Sequence, residues 1–70
     1  MHVYEMRAEY EGGVTGGPVR QWHMTSDGDT VGLCGHPVNA DAARMSHDEW
    51  GHTREKFCHT CGALYLRQVA

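Results

Sequence analysis

The chain has 70 residues, a formal net charge of −3, three cysteines, six histidines and a single phenylalanine. That length predicts one small domain, residues 1–70, in which ordering costs about 1.5 kcal/mol per residue and apolar burial roughly cancels it, so a staple is needed. The negative charge argues against binding nucleic acid by phosphate neutralisation, and an odd number of cysteines cannot close an intramolecular disulfide set.

Arg7, Arg20, Arg44, Arg54, Lys56 and Arg67 are scattered, with no basic run. Met1-His2-Val3-Tyr4-Glu5 lacks the basic start and apolar stretch of a signal peptide. The longest apolar run, Ala63 to Leu66, is far too short to span a membrane. These features predict a soluble protein of the reducing cytosol with no membrane partner.

In chain order, Val3 to Tyr10 mixes aromatic, β-branched and charged residues as a half-buried strand does, with Met6 and Ala8 leaving a helix as the alternative. Residues 11–18, with four glycines and Pro18, predict a flexible connector; no Gly-Lys-Ser/Thr follows that would make it a phosphate loop. Val19 to Met24 and Thr30 to Cys34 flank Thr25-Ser26-Asp27-Gly28-Asp29, a strong hairpin signal. Either Asp27-Gly28 or Gly28-Asp29 can form the two-residue turn. The second choice sets His23 opposite Cys34 on one face, a pair of metal donors, whereas the first sets Gly32 opposite His23; donor chemistry favours Gly28-Asp29. Residues 39–44 predict a turn or short helical segment capped by Asp41. Ser46-His47-Asp48-Glu49 has capping-box spacing, predicting a brief helix through Trp50 ended by Gly51. Lys56 to Cys58 is expected to enter the next turn as a strand, and Ala63 to Val69 to leave it as a strand pairing with the hairpin.

The chemistry gathers in Cys58-His59-Thr60-Cys61-Gly62. Two thiolates two residues apart can grip one ion, with Gly62 turning the backbone away at positive φ. Adding His23 and Cys34 gives His23-x10-Cys34-x23-Cys58-x2-Cys61, a Cys3His donor set. Such a set closes a tetrahedral zinc site and leaves no position for a catalytic water. His36, two residues after Cys34, is the competing fourth ligand. His59 is expected to point away from the ion, and His2, His47 and His52 to be solvated. A structural zinc contributes a gross ~10 to 16 kcal/mol at neutral pH, comparable with the whole net stability of a domain. These ligands in a reducing cell favour zinc over iron.

These residues resemble zinc ribbons and rubredoxin-type knuckles, in which two Cys-x2-Cys-Gly turns hold one ion. Cys58-His59-Thr60-Cys61-Gly62 matches one knuckle. Leu33-Cys34-Gly35 is similar to the second half of the other, with Val31 where its first cysteine would stand and His23 in its place. The altered pattern, including Trp50 between the half-sites, resembles that of short zinc-finger-like proteins common in actinobacteria. The resemblance covers Trp22 to Cys61 and implies a small β-rich, zinc-stabilised domain built on an antiparallel hairpin, a C-terminal knuckle and a strand.

Enzyme chemistries fit poorly. His47-Asp48-Glu49 before Cys58-x2-Cys61 has the outline of the zinc-deaminase signature, but Phe57 replaces its proline, the spacing is short and the chain cannot enclose a nucleoside pocket. A redox Cys-x-x-Cys belongs at a helix N-terminus in a βαβ unit, and a c-type haem motif needs His where Gly62 stands. Trp22, Trp50, Tyr4, Tyr65 and Phe57 are expected to cover the core around the ion. In the functional alternative Trp22, with Tyr10, belongs to an exposed patch for a partner, since His23 facing the ion sends Trp22 to the opposite face. The expectation is a non-enzymatic structural-zinc module that contacts another protein as an adaptor or accessory factor. A nucleic-acid-binding zinc ribbon using Arg20, Arg54 and Arg67 is the alternative, and thiol redox or metal sensing the third reading.

Overall fold

In the computed structural model, residues 3–52 and 56–69 are described. His2 and Arg54 lie outside the described residues. Strands β1 (Tyr4–Tyr10), β2 (Val19–Ser26) and β3 (Arg44–Ser46) form one antiparallel sheet in the order β2-β1-β3, and helix α1 (His59–Val69) follows at the C-terminal end. Among the described residues the chain is therefore β-rich with one α-helix.

Alternation along the strands sorts the sheet into two faces. Met6 faces Met24 and Ala8 faces Trp22 across β1 and β2, and these four residues with Cys61 make the apolar core. On the opposite face Arg7 faces His23, and Glu9 faces Gln21. That polar face is also covered: Arg7, His23 and Thr25 are all buried. Arg7 donates to the Ala40 carbonyl, and the Ala8 amide donates to the Ala43 carbonyl.

The predicted first strand is present, but its partner differs from the expectation. β2 pairs with β1, not with residues 30–34. The Gly-rich segment is the loop of this hairpin: the Glu11 amide donates to the Pro18 carbonyl at 2.9 Å, and a 3-10 turn over Glu11–Gly13 uses positive φ at Gly12 and Gly13. Beyond Ser26 the chain turns on Asp27-Gly28, both at positive φ, with the Asp29 amide on the Ser26 carbonyl at 3.1 Å. The Gly28-Asp29 turn is thus corrected. Residues 30–34 add no strand; a single bridge joins Val31 to Pro37, and the Gly35 amide closes back onto the Gly32 carbonyl. A segment carrying Gly32, Gly35 and Pro37 is a weak ladder partner, whereas β1 offers seven residues in matching alternation.

The C-terminal strand is also corrected, because Ala63 to Val69 lies within α1. Ala63, Leu64, Leu66, Arg67 and Gln68 are good helix formers. Tyr65 fixes the helix against the sheet by an edge-on contact with Tyr4 at 5.1 Å, and the Tyr4 hydroxyl donates to Gln68 Oε1 at 2.7 Å. The brief helix after Ser46 is present as a 3-10 turn, His47–Glu49, with the Ser46 side chain accepting from the Asp48 amide and Gly51 at positive φ beyond it. In the turn before β3, Asn39 rather than Asp41 is the cap: its Oδ1 accepts from the Asp41 amide at 2.8 Å. Lys56 to Cys58 makes one parallel bridge, Phe57 to Trp22, in place of a full strand.

Candidate metal centre

β2 is an edge strand, and two other segments are tied to its free side. The Leu33 amide donates to the Met24 carbonyl at 2.8 Å, and the Cys58 amide donates to the Trp22 carbonyl at 2.8 Å, while the Trp22 amide donates to the Lys56 carbonyl. These bonds fall on the two neighbours of His23. They place Cys34, one residue after Leu33, and Cys58 at the same stretch of strand from which the imidazole projects. Cys61 arrives from the first turn of α1 and is completely buried.

The outcome is a four-residue cluster, His23, Cys34, Cys58 and Cys61, whose donor atoms all lie within 4.8 Å of one another and can hold a metal ion. His23 Nδ1 is 3.5 Å from both Cys34 Sγ and Cys61 Sγ. The Cys61 amide lies 3.5 Å from Cys58 Sγ, so the start of α1 turns an N–H toward that sulfur. All three thiols are free of disulfides. The pairing of His23 with Cys34 thus stands although the hairpin register that suggested it does not. With the Asp27-Gly28 turn Gly32 does come against His23, but the reversal at Gly32–Gly35 returns Cys34 to the same side.

Thiol electrostatics differ across the cluster. Burial opposes ionisation of Cys34, but a backbone hydrogen bond from His36 and the neighbouring Cys61 and Cys58 outweigh it and lower its pKa. Cys61 is pushed up to about 12, first by burial and then by the adjacent Cys34 and Cys58 sulfurs. Without an ion, Cys61 therefore keeps a proton that metal binding would expel.

Two further residues belong to the site and escape sequence reasoning or are misplaced by it. Glu9 Oε1 is 2.5 Å from His23 Nε2, on the side of the ring away from the sulfurs, and also accepts from Gln21 Nε2 at 2.9 Å. Burial raises the Glu9 pKa, but the hydrogen bonds from His23 and Gln21 and the charges of His36 and His23 bring it below its usual value. His36, the expected competitor for the metal, stacks on His23 with centroids 4.8 Å apart, and its Nε2 lies 3.5 Å from Glu9 rather than among the thiols. Only a strand register linking residues 9 and 23 reveals Glu9, and the sequence pattern points β2 to a different partner.

Around the centre, Tyr4, Trp50, Phe57 and Tyr65 are partly buried against the core, as expected, with Trp50 and Phe57 rings 5.0 Å apart. Trp22 is 3% exposed, which removes it from any partner-binding patch: its side chain lies in the apolar core with Met6, Ala8, Met24 and Cys61. Gly62 does not adopt the expected positive φ; it is helical and packs against the Trp50 indole. His59 is exposed, in line with its expected outward direction, as are His47 and His52, although His47 Nδ1 meets the Tyr65 hydroxyl at 3.0 Å.

Among the described residues no helix is long and apolar enough to cross a membrane. Comparison of the chain with family models, with curated proteins and with solved structures gives no match.

Proposed function

We propose that this chain is a structural-zinc module that acts through contacts with another protein, the ion being held by His23, Cys34, Cys58 and Cys61. The observation that carries the reading is the convergence of four soft or borderline donors from three separate segments onto one point at the sheet edge. Bond lengths of about 2.3 Å to sulfur and about 2.0 to 2.1 Å to nitrogen give a tetrahedron whose S···N edge is about 3.5 to 3.6 Å. Two of the three S···N separations, from Cys34 and from Cys61 to His23 Nδ1, are 3.5 Å, and Cys58 Sγ lies within the 4.8 Å of the cluster. Three thiolates and one imidazole fill such a tetrahedron, so the ion's work would be to fold the chain and present its surface. Free thiols of this kind suit a reducing compartment.

The test is metal content joined to folding. Native mass spectrometry of the purified protein is expected to show one zinc per chain, and Cys58→Ser or Cys61→Ser to abolish both zinc retention and the dispersed amide spectrum of a folded domain. A folded, metal-free wild-type chain would overturn the reading. The partner side is tested by affinity capture with zinc-loaded protein, requiring a defined protein that is lost when the fold is lost.

A thiol-redox reading draws support from one observation: Cys58 directly precedes α1 and Cys61 lies in its first turn, the setting in which a Cys-x-x-Cys pair gains reactivity. Labelling separates the two readings. Thiols bound in a closed zinc set resist alkylation at neutral pH, whereas a redox pair is modified rapidly in the protein as purified. The nucleic-acid reading has less support: of the arginines it draws on, Arg20 lies 3.8 Å from the Glu9 carboxylate, and Arg54 lies outside the described residues. It predicts salt-sensitive binding of single-stranded nucleic acid, which the protein-contact reading does not.

A further inference from the structure

Glu9, His23 and His36 also bring three donor atoms within 4.8 Å of one another, beside a cavity of about 360 Å³ that Glu9 and His36 help to line. A second ion there is disfavoured by the rings themselves. The two imidazoles lie within 9° of parallel, so their in-plane lone pairs run in separate planes instead of meeting at one point. The same geometry suits a hydrogen bond to one ring and a stacking wall for it.

We infer that Glu9 is the positioning residue of the metal centre, its carboxylate accepting the Nε2–H of His23 so that Nδ1 is left with a lone pair for the ion. This rests on the reading of His23 as a metal ligand. A neutral imidazole carries one proton, and placing it on Nδ1 would block the nitrogen that stands 3.5 Å from two sulfurs. An ionised carboxylate only accepts, so a carboxylate 2.5 Å from Nε2 fixes the proton there. The carboxylate is itself held: Gln21 donates to Oε1 at 2.9 Å and Arg20 Nε lies 3.8 Å from Oε2. The strand register supplies the approach, since Glu9 faces Gln21 and stands diagonal to His23 across β1 and β2. His36, stacked at 4.8 Å, fixes the plane of the ring. Partners of this kind, hydrogen-bonded to a ligating histidine, set its tautomer and raise its basicity, and their loss weakens metal binding by about 10- to 100-fold.

Two measurements on the full chain test this. In the zinc-loaded wild type, long-range proton–nitrogen correlation of the His23 ring is expected to show Nε2 protonated; a protonated Nδ1 with Nε2 on the ion overturns the inference. In competition with a chromophoric chelator, Glu9→Gln is expected to bind zinc about 10- to 100-fold more weakly. Glu11→Gln, which removes the same charge from an exposed position in the loop between β1 and β2, is expected to keep the wild-type affinity. Equal affinity of Glu9→Gln and wild type overturns the inference, and should that variant fail to fold, the wild-type tautomer decides alone. Failure of the underlying reading looks different: the wild type then takes up no zinc, or His23→Ala binds it as tightly as wild type.

Discussion

Two glycines, Gly32 and Gly62, occupy positions where one methyl group would disturb the candidate centre, and neither has a positive φ. A Cβ at Gly32 would lie 3.2 Å from His23 Cβ and 3.3 Å from both Cys61 Sγ and His23 Nδ1, so the donors themselves would have to move. Gly32→Ala is therefore expected to weaken zinc binding, measured by chelator competition, while leaving the content of strand and helix unchanged. A Cβ at Gly62 would lie 3.2 Å from the Trp50 ring, a rigid neighbour. Alanine would favour the helix by about 1 kcal/mol, but overpacking against the indole costs about 1 to 3 kcal/mol. Gly62→Ala is expected to lower the melting temperature of the zinc-loaded protein and to alter Trp50 emission; a rise would mean that the indole yields freely. At this scale the sequence is informative about residue type. Cys34, Cys58, Cys61 and His23 are legible because few chains of this size carry such donors without use for them. The reason for Gly62 is not, since a helical glycine under an indole and a turn glycine look alike in one dimension.

Elements are less legible, and the causes are physical. β1 shows in its own alternation, but pairing is a property of two strands, and the long Gly-rich loop between β1 and β2 conceals that they form the hairpin. The tighter Asp27-Gly28 turn is present, yet the segment beyond it breaks at Gly32, Gly35 and Pro37. The sequence of α1 reads as a strand because a short run of mixed aromatic and aliphatic residues fits either period. Its identity depends on tertiary contacts of Tyr65 with Tyr4 and Trp50. An isolated helix of 11 residues is marginal in water, and the N-terminal turn of α1 contains the buried donor Cys61. Removing the metal with a chelator is therefore expected to abolish most of the helical circular dichroism near 222 nm, and zinc to restore it. Helical signal that survives complete chelation would show that packing alone sustains α1.

For the molecule as a whole, the candidate centre joins segments distant in sequence: β2, the loop at residue 34 and the start of α1 bring their donor atoms within 4.8 Å of one another. Zinc bound there would stabilise the native state by mass action, by about 2.7 kcal/mol when free zinc stands at 100 times the dissociation constant. The melting temperature is expected to climb steadily with the logarithm of free zinc once zinc exceeds the dissociation constant, with calorimetry as the measurement; insensitivity to zinc would place the metal outside the folding equilibrium. One consequence lies in the bonds from Leu33 and Cys58 to the outer side of β2. Those two segments are what closes the sheet on that side, and both carry metal donors or adjoin them. If a bound ion holds those segments in place, its loss would bare the outward-facing amides and carbonyls along Val19–Ser26 to any other extended chain, which is the template for edge-to-edge aggregation. Zinc would then act as a guard against self-association, so that starvation for the metal threatens this protein first with precipitation.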